Sequence, residues 1–390
     1  MKNIIVVFGG KSVEHDISII TGVLTCNALS KEKYNAVPIY VSKDGSWLYG
    51  EELLNIDNFK NKKFKKVKNV TFVLGSNFLY EVNGKKLNKL FAISSAINCM
   101  HGVNGEDGTL FGVMKLCNIP FSSPQLFGSS FAIDKDFTKI FLSGINVERL
   151  PYVRVFKSTY YEKKENAVKI IEKKFTYPVI VKPSCLGSSI GIVTAKNKEE
   201  LISAFDKAFI YDDKVIVEKE LVGFKEINCA AYRKGDKIIL SECEEPFTKN
   251  EILTFKDKYE GYKTGYDRKI PANISKTLRD KILSITEKIY RKADFVGVIR
   301  IDYLIYEDKV YVNEINTVPG SLAYYLFTDS IKGFSELLDD LISEGIKKWI
   351  SQDNKTYEYA SNVLSNVAGK GGKIKSLTKN KNKWYNLFPR

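Results

Sequence analysis

Residues 300–320, Arg300-Ile-Asp302-Tyr-Leu-Ile-Tyr-Glu-Asp-Lys-Val-Tyr-Val-Asn-Glu314-Ile-Asn316-Thr-Val-Pro-Gly320, decide the fold of this chain. Two β-like runs flank the turn Glu307-Asp308-Lys309 and predict a hairpin. Asp302 ends one run, and Glu314 and Asn316 sit two apart at the end of the other, so the pleat turns both to one face. Two carboxylates and an amide at one end of a hairpin make an oxygen site for Mg²⁺, an ion that shares its shell with waters and substrate phosphates. Arg300 falls on the face of Asp302, placed to neutralise charge on a transferring phosphoryl group. An ordinary exposed hairpin would account for the acids alone. The Asn-Thr-Val-Pro-Gly that follows, with its turn-fixing Pro-Gly, favours a nucleotide–metal site.

Working outward, 390 residues of 44% hydrophobic and 12% aromatic composition are enough for two or three cores. The first residues read as a strand running into Gly9-Gly10 rather than as a signal peptide, and no apolar run is long enough to span a membrane. The six cysteines form no CxxC pair and lie mostly in apolar stretches, as reduced core residues of a cytoplasmic protein would. The net charge of +14 raises the question of nucleic acid. Eight Lys/Arg against two Asp/Glu between Ser351 and Arg390 supply +6 of it, and a lysine cluster between Lys60 and Lys68 adds more. Such runs are usually solvated, and no nucleic-acid-binding motif accompanies them, so neither nucleic acid nor membrane is expected as a partner.

Strand and helix signals alternate through residues 1–130 (strands at 3–8, 34–41, 70–74 and 91–99, helices at 12–30 and 110–117), which predicts an open α/β domain. A second unit over 131–220 carries a helix at 134–143, strands at 179–182, 191–195 and 215–219, and helices at 167–174 and 199–210. The third, 221–350, has strands at 227–232 and 237–243 and a polar loop at 248–270. A helix at 275–291, striped by Leu278, Ile282, Ile285 and Ile289, precedes the hairpin. Residues 351–390 read as an extended, lysine-rich tail.

Four further segments carry chemistry. In Val181-Lys182-Pro183-Ser184-Cys185-Leu186-Gly187-Ser188-Ser189, a strand-end lysine precedes glycines and hydroxyls suited to phosphate oxygens, although GxxxxGK[ST] is absent. Val217-Glu218-Lys219-Glu220-Leu221, with Glu226 beyond, is a connection of the kind whose backbone reads an adenine edge. Gly9-Gly10-Lys11-Ser12-Val13-Glu14-His15 joins a strand to a helix, where Glu14 serves equally well as a first-turn helix acid or as a ligand-facing group. Met100-His101-Gly102-Val103-Asn104-Gly105-Glu106-Asp107-Gly108 is a glycine-rich strand-end loop, and the two histidines of the chain fall in these last two segments.

Taken in order, with Asp134-Lys135 and Thr138-Lys139 added, these segments resemble the ATP-grasp enzymes, and within them the D-alanine–D-alanine ligase family, over roughly residues 3–350. The resemblance implies an N-terminal α/β domain followed by a two-part ATP-grasp fold. It also implies ATP-dependent joining of two D-alanines through an acyl phosphate in peptidoglycan synthesis, in the cytoplasm, by a homodimer. Lys135, Lys182, Ser189 and Lys258 would hold phosphates, and Glu218, Lys219, Leu221 and Glu226 would surround adenine and ribose. Asp302, Glu314 and Asn316 would bind two Mg²⁺, with Mn²⁺ as a substitute. Glu14 would take the first ammonium, and Ser188 and Tyr259 would join it in a polar network under a lid that includes Lys258. Arg300 and the Gly320 N–H would stabilise the oxyanion, with His101, Arg300, Gly320 and Tyr325 contacting substrate. Where the family has a serine for the second substrate's carboxylate, this chain has Tyr325. That departure keeps D-serine and D-lactate open as acceptors. A non-catalytic nucleotide-binding protein is the reading from another class, and the full set of Lys182, Arg300, Asp302, Glu314 and Asn316 argues against it.

Overall fold

The structure, a computed structural model, describes residues 1–60, 64–246, 268–356 and 359. Strand β1 (Lys2–Gly9) is apolar on both faces because both faces are covered, as a central parallel strand requires. Ile4, Val6 and Phe8 pack into one core with Ile19 and Val23 of helix α1 (His15–Ala28), and Ile5 and Val7 into another. The rest of this region is β2 (Tyr34–Val41), β3 (Trp47–Tyr49), α2 (Ile56–Lys60), β4 (Lys68–Phe72), β5 (Phe78–Asn83), β6 (Lys86–Ala92), β7 (Ser95–Asn98) and α3 (Thr109–Leu116). Its sheet runs β6-β5-β4-β3-β2-β1-β7, with β1 parallel to β2 and β7 and the other pairs antiparallel.

The single strand expected over 91–99 is two strands at opposite edges of that sheet. The break at Ile93-Ser94 lets β6 finish a hairpin with β5 before β7 crosses to β1. The hairpin closes through the two-residue loop Gly84-Lys85, in which Gly84 takes a φ of 60°.

Next come α4 (Leu126–Ile133), α5 (Lys135–Gly144), β8 (Tyr152–Phe156), α6 (Lys157–Glu162), α7 (Lys164–Lys174), β9 (Val179–Pro183), β10 (Val193–Ala195), α8 (Lys198–Ala208) and β11 (Lys214–Lys219). The antiparallel sheet β10-β9-β11-β8 turns Val179, Val181, Val215 and Val217 into a core with Leu201 and Phe205. By the same alternation Ile180, Lys182 and Glu218 face the other way, into a cleft.

The remaining elements are β12 (Lys225–Lys234), β13 (Lys237–Leu240), β14 (Glu245–Pro246), β15 (Arg268–Lys269), α9 (Lys276–Lys292), β16 (Ile299–Tyr306), β17 (Lys309–Asn316), a 3₁₀ segment (Gly320–Leu326) and α10 (Ile331–Asp353). Helix α9 begins where Ser275 Oγ accepts a hydrogen bond from the Leu278 N–H at 3.3 Å, and it seals Ile282 and Ile289 against Ile301 and Tyr303. The sheet runs β13-β12-β16-β17, all antiparallel.

One irregularity in this sheet governs the site. Tyr303 pairs with Val312 but Asp302 pairs with Glu314, so Asn313 is bulged out. Val310 and Val312 lie in the core before the bulge and Ile315 after it, which moves Glu314 and Asn316 to the face of Asp302.

No described helix is long and apolar enough to cross a membrane. Five of the six cysteines are buried as expected. Cys185 is exposed instead, because it sits in the turn after β9 rather than in the strand.

Candidate active site

The cleft between the β10-β9-β11-β8 and β13-β12-β16-β17 sheets is lined by Lys135, Lys182, Ser189, Leu221, Glu226 and Glu314, among others. Its floor is a buried charge cluster. Glu218 pairs with Lys139 at 2.5 Å and with Lys182 at 2.7 Å. Burial would raise the Glu218 carboxyl, but the two ammoniums overrule it and hold it at about 2. Lys182 also reaches the bulged Asn313 at 3.4 Å. Glu218 therefore lines the expected pocket with its carboxylate committed to lysines. The side chain of Lys219 is likewise committed, to the carbonyls of Thr176 and Tyr177 at 2.9 and 3.1 Å.

Lys135 stands at the start of α5, with its ammonium 2.6 Å from the Leu186 carbonyl and 3.8 Å from Glu314. A network that the sequence reading did not single out places it there. Asp134 caps α5, accepts from Ser184 Oγ at 2.7 Å and pairs with Lys214 at 2.5 Å, while the Lys135 N–H bonds the Ser184 carbonyl at 2.9 Å. The helix start and the strand-end loop are thereby held together.

Beyond Glu314 the site turns toward β1. Gly9 holds a φ of 94° where a Cβ would lie 2.2 Å from the Val41 carbonyl oxygen, so the chain can turn sharply toward α1 only with glycine. That turn brings Glu14 to Ser188, whose hydroxyl donates to Glu14 Oε1. His15 is taken up by the Gly10 carbonyl and Tyr40 and has a structural role. Gly102 approaches so closely that a Cβ would sit 2.5 Å from Ser12 Oγ and 3.1 Å from Glu14 Oε2.

Glu106, in the same loop, was missed. Its carboxylate accepts from the Gly102 N–H at 2.9 Å and from the Val318 N–H at 3.2 Å, which ties the loop to the segment after β17. An acid between glycines in a strand-end loop was the available signal. Burial, with the Glu14 charge next, raises its carboxyl to about 8. The folded form then retains a proton that an unfolded chain releases near 4.5, so stability falls as pH rises across that interval. Glu106→Gln should make the pH dependence of thermal stability shallower between those values. A variant whose melting temperature changes with pH as steeply as the parent's would show an ionised Glu106.

His101 Nε2 meets Thr21 Oγ1 at 3.0 Å, and the same hydroxyl oxygen accepts from the Ser321 N–H at 3.0 Å. Burial, aided by the Arg300 charge, lowers the ring to about 4 against a backbone hydrogen bond with Val318, so it is neutral at neutral pH. This chain of contacts anchors three successive residues with φ near 50°, Ser321, Leu322 and Ala323, a left-handed turn without glycine. The turn begins right after Gly320 and presents Tyr325.

On the hairpin, Arg300 grips Asp302 with two hydrogen bonds, Nε to Oδ1 at 2.7 Å and Nη2 to Oδ2 at 2.8 Å. Asn316 donates its amide nitrogen to Asp302 Oδ2 at 3.0 Å, which leaves its own oxygen for a cation. Among the described residues, no three His, Cys, Asp or Glu side chains gather as a metal site. The donor set here is instead two carboxylates and an amide, fewer than an octahedral ion needs, so it fits a cation whose shell phosphates and water complete. Lys258 and Tyr259 lie outside the described residues.

Two antiparallel sheets that face each other across lysines on one side and oxygen donors on the other define an ATP-grasp ligase. Two family models match, described as D-ala D-ala ligase N-terminus over residues 3–124 and D-ala D-ala ligase C-terminus over residues 141–345. The chain is 38% identical over 378 residues to the D-alanine–D-alanine ligase of Thermosipho melanesiensis, covering 95% of this chain and 100% of that one. It is 33% identical to that of Caldicellulosiruptor bescii, covering 91% and 97%. Among solved structures, the D-alanine–D-alanine ligase of Helicobacter pylori superposes with a TM-score of 0.72 at 29% identity over 88% of this chain and 98% of that one. The VanG D-Ala:D-Ser ligase of Enterococcus faecalis gives 0.74 at 28% over 88% and 99%. The chain belongs to the D-alanine–D-alanine ligase family.

Proposed function

We propose that this protein joins two molecules of D-alanine, converting ATP to ADP and phosphate. The observation that carries the reading is a cleft lined by Lys135, Lys182 and Glu314, with Asp302 paired opposite Glu314 on the hairpin and hydrogen-bonded to Arg300 and Asn316. The carboxylate of the first D-alanine attacks the γ-phosphorus and ADP departs, leaving an acyl phosphate. The amine of the second attacks the acyl carbon, loses a proton, and phosphate departs.

Lys135, Lys182 and Ser189, with Lys258, hold phosphate oxygens. Glu218 acts through the two lysines that it holds. Leu221, Glu226 and the backbone at Lys219 receive the nucleoside. Glu14, oriented by Ser188 and joined by Tyr259, takes the donor's ammonium. Arg300 and the Gly320 N–H face the developing oxyanion. Asp302, Glu314 and Asn316 would hold two Mg²⁺, or Mn²⁺, and such ions neutralise phosphate charge when bound. We read residues 1–130 as the lobe that supplies Glu14, 131–220 and 221–350 as the two jaws around the nucleotide, and 351–390 as a tail outside this chemistry.

Phosphate release from ATP across a panel of D-amino and D-hydroxy acids tests the reading. D-Alanine should support the fastest release, and none with any D-acid would sink it. Tyr325 in place of serine leaves D-serine or D-lactate as the second reading of the acceptor, and the same panel separates the two. Glu314→Gln should abolish ligation while leaving the melting temperature near that of the parent, because one negative charge is lost from a cation site. Near-normal turnover at saturating Mg²⁺ would remove Glu314 from that site.

A further inference from the structure

The polar face of the β13-β12-β16-β17 sheet continues past Asp302. Asn228 lies directly opposite Asp302, and Asn228 and Glu244 exchange both backbone hydrogen bonds at 2.9 Å. Glu244, Asn228, Asp302 and Glu314 therefore stand in one row across neighbouring strands, on one side of the sheet. Glu244 and Asn228 are almost fully buried, and Asn228 Nδ2 donates to Glu244 Oε2 at 3.0 Å. The other oxygen of each, Glu244 Oε1 and Asn228 Oδ1, has no hydrogen-bond partner among the described residues. A buried carboxylate is kept in that condition only where a charge faces it.

The charge is Arg268. Its Nη1 stands 3.6 Å from Glu244 Oε1, attracted but too far for a hydrogen bond, and its guanidinium carbon lies 4.2 Å from the Tyr325 ring centroid. A guanidinium with one flat face on an aromatic ring and one edge toward a carboxylate is held in orientation by both. No hydrogen bond from its other N–H groups is seen among the described residues, and the side chain is 41% exposed. Burial and the Glu244 charge push the Tyr325 hydroxyl up to about 12, so it remains a neutral hydrogen-bond donor. Asn228 stands opposite Asp302, which Arg300 grips, so this corner adjoins Arg300.

We propose that Arg268, seated on the Tyr325 ring and positioned by Glu244 and Asn228, binds the carboxylate of the acceptor. The inference rests on the ligase reading above. The tyrosine ring fills the space that a serine would leave open and moves the recognition of the acceptor outward, to a cation whose planar edge matches two carboxylate oxygens. The substrate class that follows is a small acceptor with a free α-carboxylate. Amides and alcohols of the same shape are rejected because they leave the guanidinium without its anion.

The test uses the full-length enzyme, ATP, D-alanine and the acceptor probe D-alaninamide. ADP release is followed over a range of D-alanine wide enough to separate donor KM from acceptor KM. Arg268→Gln should raise the acceptor KM about tenfold or more, leave the ATP and donor KM within about twofold, and erase most of the preference for D-alanine over D-alaninamide. Glu244→Gln should raise the acceptor KM by less, and Arg268→Lys should recover part of the loss. An unchanged acceptor KM and amide discrimination in Arg268→Gln overturns the inference while leaving the ligase reading intact. So does a uniform drop in all parameters with a lowered melting temperature, which marks Arg268 as structural. A parent enzyme that releases no phosphate with D-alanine overturns both.

Discussion

Arg300→Lys is expected to lower kcat by roughly two to three orders of magnitude, the loss seen when a preorganised donor to an oxyanion is removed, with little change in KM for ATP. Arg300 is mostly buried at 18% side-chain exposure, and its two bonds to Asp302 fix the plane of its guanidinium. The Coulombic attraction of Asp302 lifts its pKa well above the usual guanidinium value against the penalty of burial, so the charge is permanent. Lysine keeps that charge but cannot grip Asp302 at two points and point a further N–H at a substrate oxygen. The charge balance of the site is therefore preserved while the geometry is lost, and the defect belongs in kcat. Single-turnover measurement of dipeptide formation checks this. A kcat within tenfold of the parent would place Arg300 outside the reacting centre.

Glu218→Gln should destabilise the protein by about 3–5 kcal/mol, the usual consequence of breaking a buried ion pair from one side. Here one carboxylate serves two ammoniums, those of Lys139 at 2% and Lys182 at 10% exposure, so its loss leaves two like charges facing each other in a site with little water. Burial already lowers the pKa of Lys139 despite the pairing, and the proximity of Lys182 lowers it further. ATP supplies in its phosphates the negative charge that the variant lacks. The gain in unfolding free energy on adding ATP should therefore be larger in Glu218→Gln than in the parent. Urea unfolding with and without ATP measures both effects, and a variant as stable as the parent would mean that the lysines had found other partners. The same pairing sets an acid limit. Glu218 titrates at about 2 in the folded protein against 4.5 ordinarily, so its contribution is complete above 4.5 and is lost as pH falls toward 2.

Much of this site could be read before any coordinate. The hairpin of Arg300 to Asn316 needed only alternation, a turn and the chemistry of oxygen donors, and the structure pairs Asp302 with Glu314 as that reading requires. The strand-end position of Lys182 and the helix-start position of Glu14 followed from apolar runs that stop at Pro183 and at Gly9-Gly10. Helix α9 was marked by its stripe of Leu278, Ile282, Ile285 and Ile289. Short elements were harder. Strands of three to six residues such as β3 and β5 carry too few alternations to stand out from loops.

The sequence by itself determined which chemical groups are present and which local faces they occupy, because pleat, turn and capping preferences act over a few residues. Partnerships between distant residues were left to the tertiary structure. Nothing local predicts that Glu218 will sit between Lys139 and Lys182, that Glu106 will bond the Val318 N–H, or that Thr21 will link His101 to Ser321. Each of these is decided by which elements pack together and by the high cost of a charge or polar group buried alone. The bulge at Asn313 shows the division most clearly. Alternation puts Glu314 and Asn316 on one face, but only the register against β16 decides which face that is. Without one extra residue in β17, the pair would follow Val312 into the apolar core, where two unpaired polar groups cannot be accommodated.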